Sequence, residues 1–283
     1  MEEINENLKI HNEFISNDTS PNVLKQKWML DLSDDKLISE LSIPGTHDTG
    51  ARFGTIFAQT QSWTVYDQLS GGIRYLDIRA RRVDDIFTIH HGVIYMKMTF
   101  GDVLNQIEKF LTENKSEIIL MRLKEEYEAL NPKDSFEGIF KNSYLVNYKD
   151  LFLNSRDIPT LKQARGKIVL LADFSTSLEF IKWNSLNIQD DYDLGIIGDI
   201  NKKKKEIKDH MIKANTSLKN EFYANHCSAF GILLQEPLLV AEKTNYVPYE
   251  FCFNNNAKKV GIIIMDFPGE KLIEEIININ LKN

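Results

Sequence analysis

The run Ser42-Ile43-Pro44-Gly45-Thr46-His47-Asp48-Thr49 starts as a short apolar strand and stops at a glycine turn that presents a histidine and an aspartate. The same design recurs downstream. In Ile73-Arg74-Tyr75-Leu76-Asp77-Ile78-Arg79, apolar and polar residues alternate, and residues two apart on a strand share a face, so Asp77 and Arg79 point the same way. Ile89-His90-His91-Gly92, Arg122-Leu123-Lys124-Glu125-Glu126 and Ile264-Met265-Asp266-Phe267-Pro268 close further apolar runs on titratable residues. Polar side chains gathered at the ends of strands are what a parallel β/α barrel displays, because its C-terminal strand ends form one rim that carries the site.

The text between these runs agrees. Short apolar stretches at Leu41–Pro44, Ile73–Ile78, Phe87–His90, Ile118–Leu123, Lys167–Ala172, Glu221–Asn225 and Val260–Asp266 read as strands. They alternate with amphipathic stretches at Thr99–Glu113, Asp134–Leu145, Lys203–Ala214 and Glu270–Leu281. In the first of these, Phe100, Val103, Leu104, Ile107, Phe110 and Leu111 recur at helical spacing. No linker interrupts the series, so one α/β domain is expected over residues 25–283, preceded by a polar tail over residues 1–24. A chain of 283 residues is an ordinary length for one such barrel.

Composition narrows the partners. A formal charge of −7 disfavours a general nucleic-acid binder, which needs a basic surface, and disfavours docking to anionic membranes by charge alone. No apolar run approaches the roughly 20 residues that span a bilayer. The opening MEEINENLKI is acidic and carries no visible signal peptide, which leaves the cytosol open as a location. Cys227 and Cys252 lack metal-ligand spacing; a disulfide is possible, and buried free thiols are the expectation. The lysine run Lys202–Lys205 reads as a solvated helix end.

Two histidines, several carboxylates and one arginine at strand ends form the toolkit for phosphodiester cleavage: a base, an acid, an orienting partner for each, and a fixed cation for the phosphoryl oxygens. Taken together and in order, SIPGTHDTG, GIRYLDIRAR, HHGVIYM and IIMDFP resemble the bacterial phosphatidylinositol-specific phospholipases C, from about Lys25 to the C-terminus. The resemblance implies a single distorted, partly open TIM barrel of the (β/α)8 type. It implies transfer of the lipid's phosphoryl group to the inositol 2-hydroxyl, releasing diacylglycerol and inositol 1,2-cyclic phosphate, and it brings glycosylphosphatidylinositol anchors into view as substrates. It implies His47 as general base oriented by Asp266, His91 as general acid paired with Asp48, and Arg79 on the phosphate with Asp77 nearby. Lys124 and Glu126 match an LKxE run that faces inositol. Asp190 and Tyr192 match a QDxY run in which the aspartate accepts hydroxyl hydrogen bonds and the tyrosine stacks on the ring. A secreted, monomeric enzyme with no cofactor is implied, touching membranes transiently. Asp173 stands where some members carry a basic residue, which bears on headgroup recognition.

Eukaryotic relatives of this barrel use calcium at the phosphate; a guanidinium there supplies the charge directly, so no metal is expected. By strand alternation His90, beside His91, faces away from the rim. The membrane-bound substrate calls for apolar side chains near the site, and two segments offer them: Phe53, Ile56 and Phe57, and Phe230, Ile232, Leu233 and Leu234, with Phe57, Phe230 and Leu233 as the leading contacts. The second segment also reads as the start of a core helix. Two other functions compete. A non-catalytic inositide-binding module on the same barrel would bind the lipid without yielding diacylglycerol, and a metal-dependent glycerophosphodiester phosphodiesterase would lose activity to a chelator.

Overall fold

The computed structural model describes residues 13–195, 199–231, 236–254 and 257–282. Its centre is a curled sheet. The strands are β1 (Ile43–Thr46), β2 (Tyr75–Val83), β3 (Ile86–His91), β4 (Ile94–Thr99), β5 (Ile119–Glu125), β6 (Phe152–Leu153), β7 (Ile168–Asp173), β8 (Ile181–Lys182), β9 (Asn187–Gln189), β10 (Tyr223–His226) and β11 (Ile262–Met265). The parallel path runs β6-β7-β5-β2-β1-β11-β10-β9, and β8 pairs with the far end of β7. No ladder joins β8 to β9 among the described residues, so the barrel stays open along that seam, as expected of a distorted, partly open TIM barrel.

Buried parallel strands read as unbroken apolar runs because both faces are covered. In Ile262-Ile263-Ile264-Met265 the two faces can be told apart. Ile262 and Ile264 pack with the main core, while Ile263 and Met265 pack with a second cluster that includes Leu272, Ile276 and Met211. Glycine is required at one close approach: a Cβ on Gly45 would lie 2.7 Å from the Tyr75 ring on the neighbouring strand. Beneath the barrel, the buried Arg74 donates to Glu117 at 2.8 and 3.0 Å and to the carbonyls of Leu69 and Ile73. Breaking such a buried pair by removing one partner costs about 3–5 kcal/mol.

The helix expected from Thr99 runs Phe100–Glu113, with Thr99 as its cap and the six anticipated apolar residues all buried. The stretch from Asp134 begins as a short helix, Phe136–Ile139, and widens into π-type turns over Phe140–Leu145. Helices Ile200–Thr216 and Glu270–Leu281 follow the periodicity closely. None of the described helices is long and apolar enough to cross a membrane.

Three features depart from expectation. First, β3 is not a barrel strand. Strand β2 continues past the rim, where residues 80–83 pair antiparallel with β3, and β3 turns at Gly92 (φ +56°) into β4. Second, Lys203 is buried rather than solvated; its ammonium donates to the Asp191 carbonyl at 2.8 Å and Gln189 Oε1 at 3.2 Å. Third, part of the segment read as a tail packs on the barrel: Phe14 and Ile15 are buried, and the Ser16 amide donates to the Phe267 carbonyl.

Candidate active site

Register brings the titratable residues together. Asp77 lies opposite Arg122 and Arg79 opposite Lys124 across β2 and β5, so all four face the barrel interior with alternate residues outward. His47 follows β1, and Asp266 follows β11 beside it. A cavity of about 320 Å³ opens at this end, lined by His47, Phe57, Thr60, Arg79, His91, Arg122, Lys124, Asp190, Tyr192, Ser228, Ala229, Phe230, Pro237 and Asp266.

His47 Nδ1 is 2.8 Å from Asp266 Oδ1, and its Nε2 is 2.8 Å from Arg79 Nη2. A carboxylate accepts and a guanidinium donates, so Nδ1 carries the proton and Nε2 holds a lone pair at the cavity wall. Burial disfavours the imidazolium, but Asp266, aided by Asp48, outweighs both burial and the Arg79 charge, and the pKa lies above the ordinary 6.5. The chain around His47 is clamped: Gln61 Nε2 donates to the carbonyls of His47 and Met265 at 2.8 and 2.9 Å, and Thr60 Oγ1 donates to the Asp48 carbonyl at 3.0 Å. Asn245 Nδ2 donates to the Asp266 carbonyl at 2.8 Å.

His91 arrives from outside the barrel on the β3–β4 hairpin. Its Nδ1 lies 2.8 Å from the Ala58 carbonyl, which can only accept, so Nδ1 carries hydrogen there as well. Nε2 faces Asp48 Oδ2 at 3.7 Å. That oxygen is buried and makes no hydrogen bond among the described residues. Burial pushes the Asp48 carboxyl up against the pull of Arg79 and both histidines. Asp48 itself sits at φ +41°, a conformation that aspartate tolerates better than most residues.

Arg79 joins the two halves. Its Nε is 3.1 Å from Asp48 Oδ1, and Nε and Nη2 reach Asp77 Oδ2 at 3.2 and 3.1 Å. Burial would raise the Asp77 pKa; Arg79 and Arg122 together overcome it and hold the carboxyl far below the usual range. Burial likewise opposes the charge on Arg79, and Asp48 and Asp77 more than restore it.

Of the residues matched to headgroup binding, Lys124, Asp190 and Tyr192 line the cavity, with Tyr192 63% exposed. Glu126 lies behind them: its carboxylate pairs with Lys124 at 3.4 Å and accepts the Gly92 amide at 3.1 Å, which ties the hairpin turn to β5. Asp173 holds Arg122 rather than facing the cavity. His90 is buried against Tyr95 and away from the site. Phe57 and Phe230 are half exposed on the cavity's lip, with Phe53 and Ile56 exposed nearby. Leu233, Ile232 and Leu234 lie outside the described residues. Cys227 and Cys252 are free, buried thiols.

Sequence reasoning passed over Arg122, Thr60, Gln61, Asn245 and the Ala58 carbonyl. Arg122 was legible by its alternation with Lys124. The others sit in loops or helices with no periodicity to betray them.

At the rim of this α/β barrel, then, His47 meets the Arg79 guanidinium and His91 faces the Asp48 carboxylate, and comparison with known proteins supplies the class to which such a chain belongs. The model of the phosphatidylinositol-specific phospholipase C X domain matches residues 35–173. The chain is 37% identical to a 1-phosphatidylinositol phosphodiesterase of Listeria monocytogenes, over 92% of this chain and 87% of the relative. It is 28% identical to the enzyme of the same description from Staphylococcus aureus, over 90% and 94%. The solved Listeria phospholipase C superimposes with a TM-score of 0.77 at 35% identity, covering 91% of this chain and 99% of that one. A Staphylococcus aureus structure, concerned with modulation of that enzyme's membrane binding, gives 0.79 at 26% identity over 91% and 98%. The chain belongs to the bacterial phosphatidylinositol-specific phospholipase C family.

Proposed function

We propose that this chain, as one catalytic barrel domain, cleaves phosphatidylinositol to diacylglycerol and inositol 1,2-cyclic phosphate by histidine acid–base chemistry without a metal. The observation that carries this is the disposition of His47, with its Nδ1 proton fixed on Asp266 and its Nε2 lone pair at the cavity wall beside Arg79. With Arg79 turned from His47 Nε2 to the phosphate oxygens, that nitrogen removes the proton of the inositol 2-hydroxyl, and the oxygen attacks phosphorus. The bond from phosphorus to the glycerol oxygen breaks, and protonated His91 Nε2, drawn toward Asp48, delivers its proton to the departing oxygen. The nucleophile belongs to the substrate, so no serine or cysteine is needed. Slow hydrolysis of the cyclic product repeats the steps with water. Glycosylphosphatidylinositol anchors present the same phosphodiester and fall within this chemistry. Turnover of phosphatidylinositol in excess chelator, with the phosphorus product identified by NMR, tests the whole scheme. A linear phosphate as the first product, or no turnover until a divalent ion is restored, would overturn it.

Docking at the lipid surface is assigned to the apolar lip, and an extracellular, monomeric enzyme acting transiently at membranes fits that use. Each side chain buried there contributes roughly 1.5–3 kcal/mol if covered completely. Phe57→Ser with Phe230→Ser is expected to weaken vesicle binding and slow cleavage of bilayer lipid. Hydrolysis of soluble cyclic inositol phosphate should change far less. Equal losses on the two substrates would return both phenylalanines to a purely structural part.

A further inference from the structure

Arg122 is the one guanidinium on the cavity wall that the proposed chemistry leaves unused. It is 6% exposed and immobilised on three sides. Asp173 Oδ2 accepts from its Nε at 2.9 Å and its Nη2 at 2.6 Å, and Asp77 Oδ1 accepts from Nη1 at 3.3 Å. Its guanidinium carbon lies 4.4 Å from the centroid of the Trp183 ring. Three of its five N–H groups are thereby directed at protein, which leaves one on each terminal nitrogen for the cavity.

Its depth says what those two donors meet. Arg122 is opposite Asp77, whereas Lys124 is opposite Arg79, so Arg122 lies two residues, or roughly 7 Å, further down the barrel than the phosphate-side cation. With docking at Phe57 and Phe230 as proposed above, the lipid hangs from that exposed lip of the cavity. A headgroup tethered at that lip, with its phosphate at Arg79, must turn the far edge of its ring toward the floor. The floor there carries a cation neutralised by two carboxylates. Such a group suits neutral hydroxyl oxygens, which need fixed donors and bring no charge to be balanced.

We propose that Arg122 is the floor of the headgroup pocket and donates hydrogen bonds to ring hydroxyls on the edge of inositol remote from the phosphate, with Asp173 as its positioning residue. This rests on the function proposed above but does not follow from it, because the acid–base steps run through His47, His91 and Arg79 alone. Asp173 takes both bonds on Oδ2, so Asp173→Asn keeps the volume and an acceptor while removing the charge that locks the guanidinium.

The test is binding of free myo-inositol, followed by calorimetry and as competitive inhibition of lipid cleavage, in wild type, Arg122→Lys and Asp173→Asn. Loss of a hydrogen bond from a charged donor corresponds to about ten- to hundredfold in affinity, and that range is expected for Arg122→Lys. Asp173→Asn should weaken inositol by a smaller factor, and in both variants KM should rise by more than kcat falls. If Arg122→Lys does not fold, Asp173→Asn carries the test alone. Unaltered inositol affinity in a folded variant, with the loss confined to kcat, would mean that Arg122 serves only to balance Asp77, and the inference would fall. Failure of wild type to cleave phosphatidylinositol would instead strike the proposed function, while calorimetry with inositol would still report on Arg122.

Discussion

Replacing His47 or His91 with alanine is expected to leave the barrel folded and to slow phosphatidylinositol cleavage by at least the ~10²–10⁴-fold that a positioned acid or base supplies. Neither side chain belongs to the apolar core. Each presents one nitrogen to a fixed acceptor, Asp266 or the Ala58 carbonyl, and the other to a charged group at the cavity, Arg79 for His47 and Asp48 for His91. Folding is checked by circular dichroism, and turnover by release of diacylglycerol. Near-normal turnover in folded His91→Ala would remove the acid from the scheme. The pH profile gives an independent check. The base must be neutral to work, and its folded pKa is raised against burial from 6.5 by Asp266 and Asp48, so the loss of activity toward acid should be centred above 6.5. Stability runs the other way: this histidine binds its proton more tightly when folded. Its contribution is complete below 6.5 and disappears as pH rises through the elevated value.

Loss of the Arg79 guanidinium is the second large effect. Wild type should remain fully active in chelator, and Arg79→Asp should lose about 10²–10³-fold, the scale of removing a fixed donor to developing charge. Lysine would not substitute, since one ammonium cannot span Asp48, Asp77 and His47 as the planar fork does. Arg79→Asp places three carboxylates in one buried pocket, a set of hard oxygen ligands, and part of the activity should return with calcium. Calcium dependence in the unmodified protein would contradict the part given to the guanidinium.

Much of this site was legible because parallel strands convert sequence periodicity into geometry. Asp77 and Arg79 share a face by alternation, and GTHD and MDFP converge because β1 and β11 are neighbours in register. Arg122 apart, what escaped notice had no such period. Strands of two or three residues, such as β6, β8 and β9, are too short to alternate. The antiparallel departure of β2 from the rim cannot be read from Arg81-Arg82-Val83, which suits a strand in either setting. The buried Lys203 was masked by its three exposed-looking neighbours, since composition does not say which lysine of a run faces inward.

The proposed base and the proposed acid stand on units of unequal cohesion. His47 is rooted between two central barrel strands and clamped by Gln61 and Thr60. His91 sits at the turn end of a two-stranded hairpin whose base is anchored in the main core by Phe87, Ile89 and Met96 and whose tip is held by the Ala58 carbonyl and the Glu126 carboxylate. The exposed tip of such a hairpin can open at a smaller free-energy cost than the core-anchored sheet behind it, so proton delivery to the leaving group can lapse while the barrel and its base persist. Warming would then silence the enzyme through reversible excursions of the tip, at temperatures where the bulk of the amide protons remain protected from exchange.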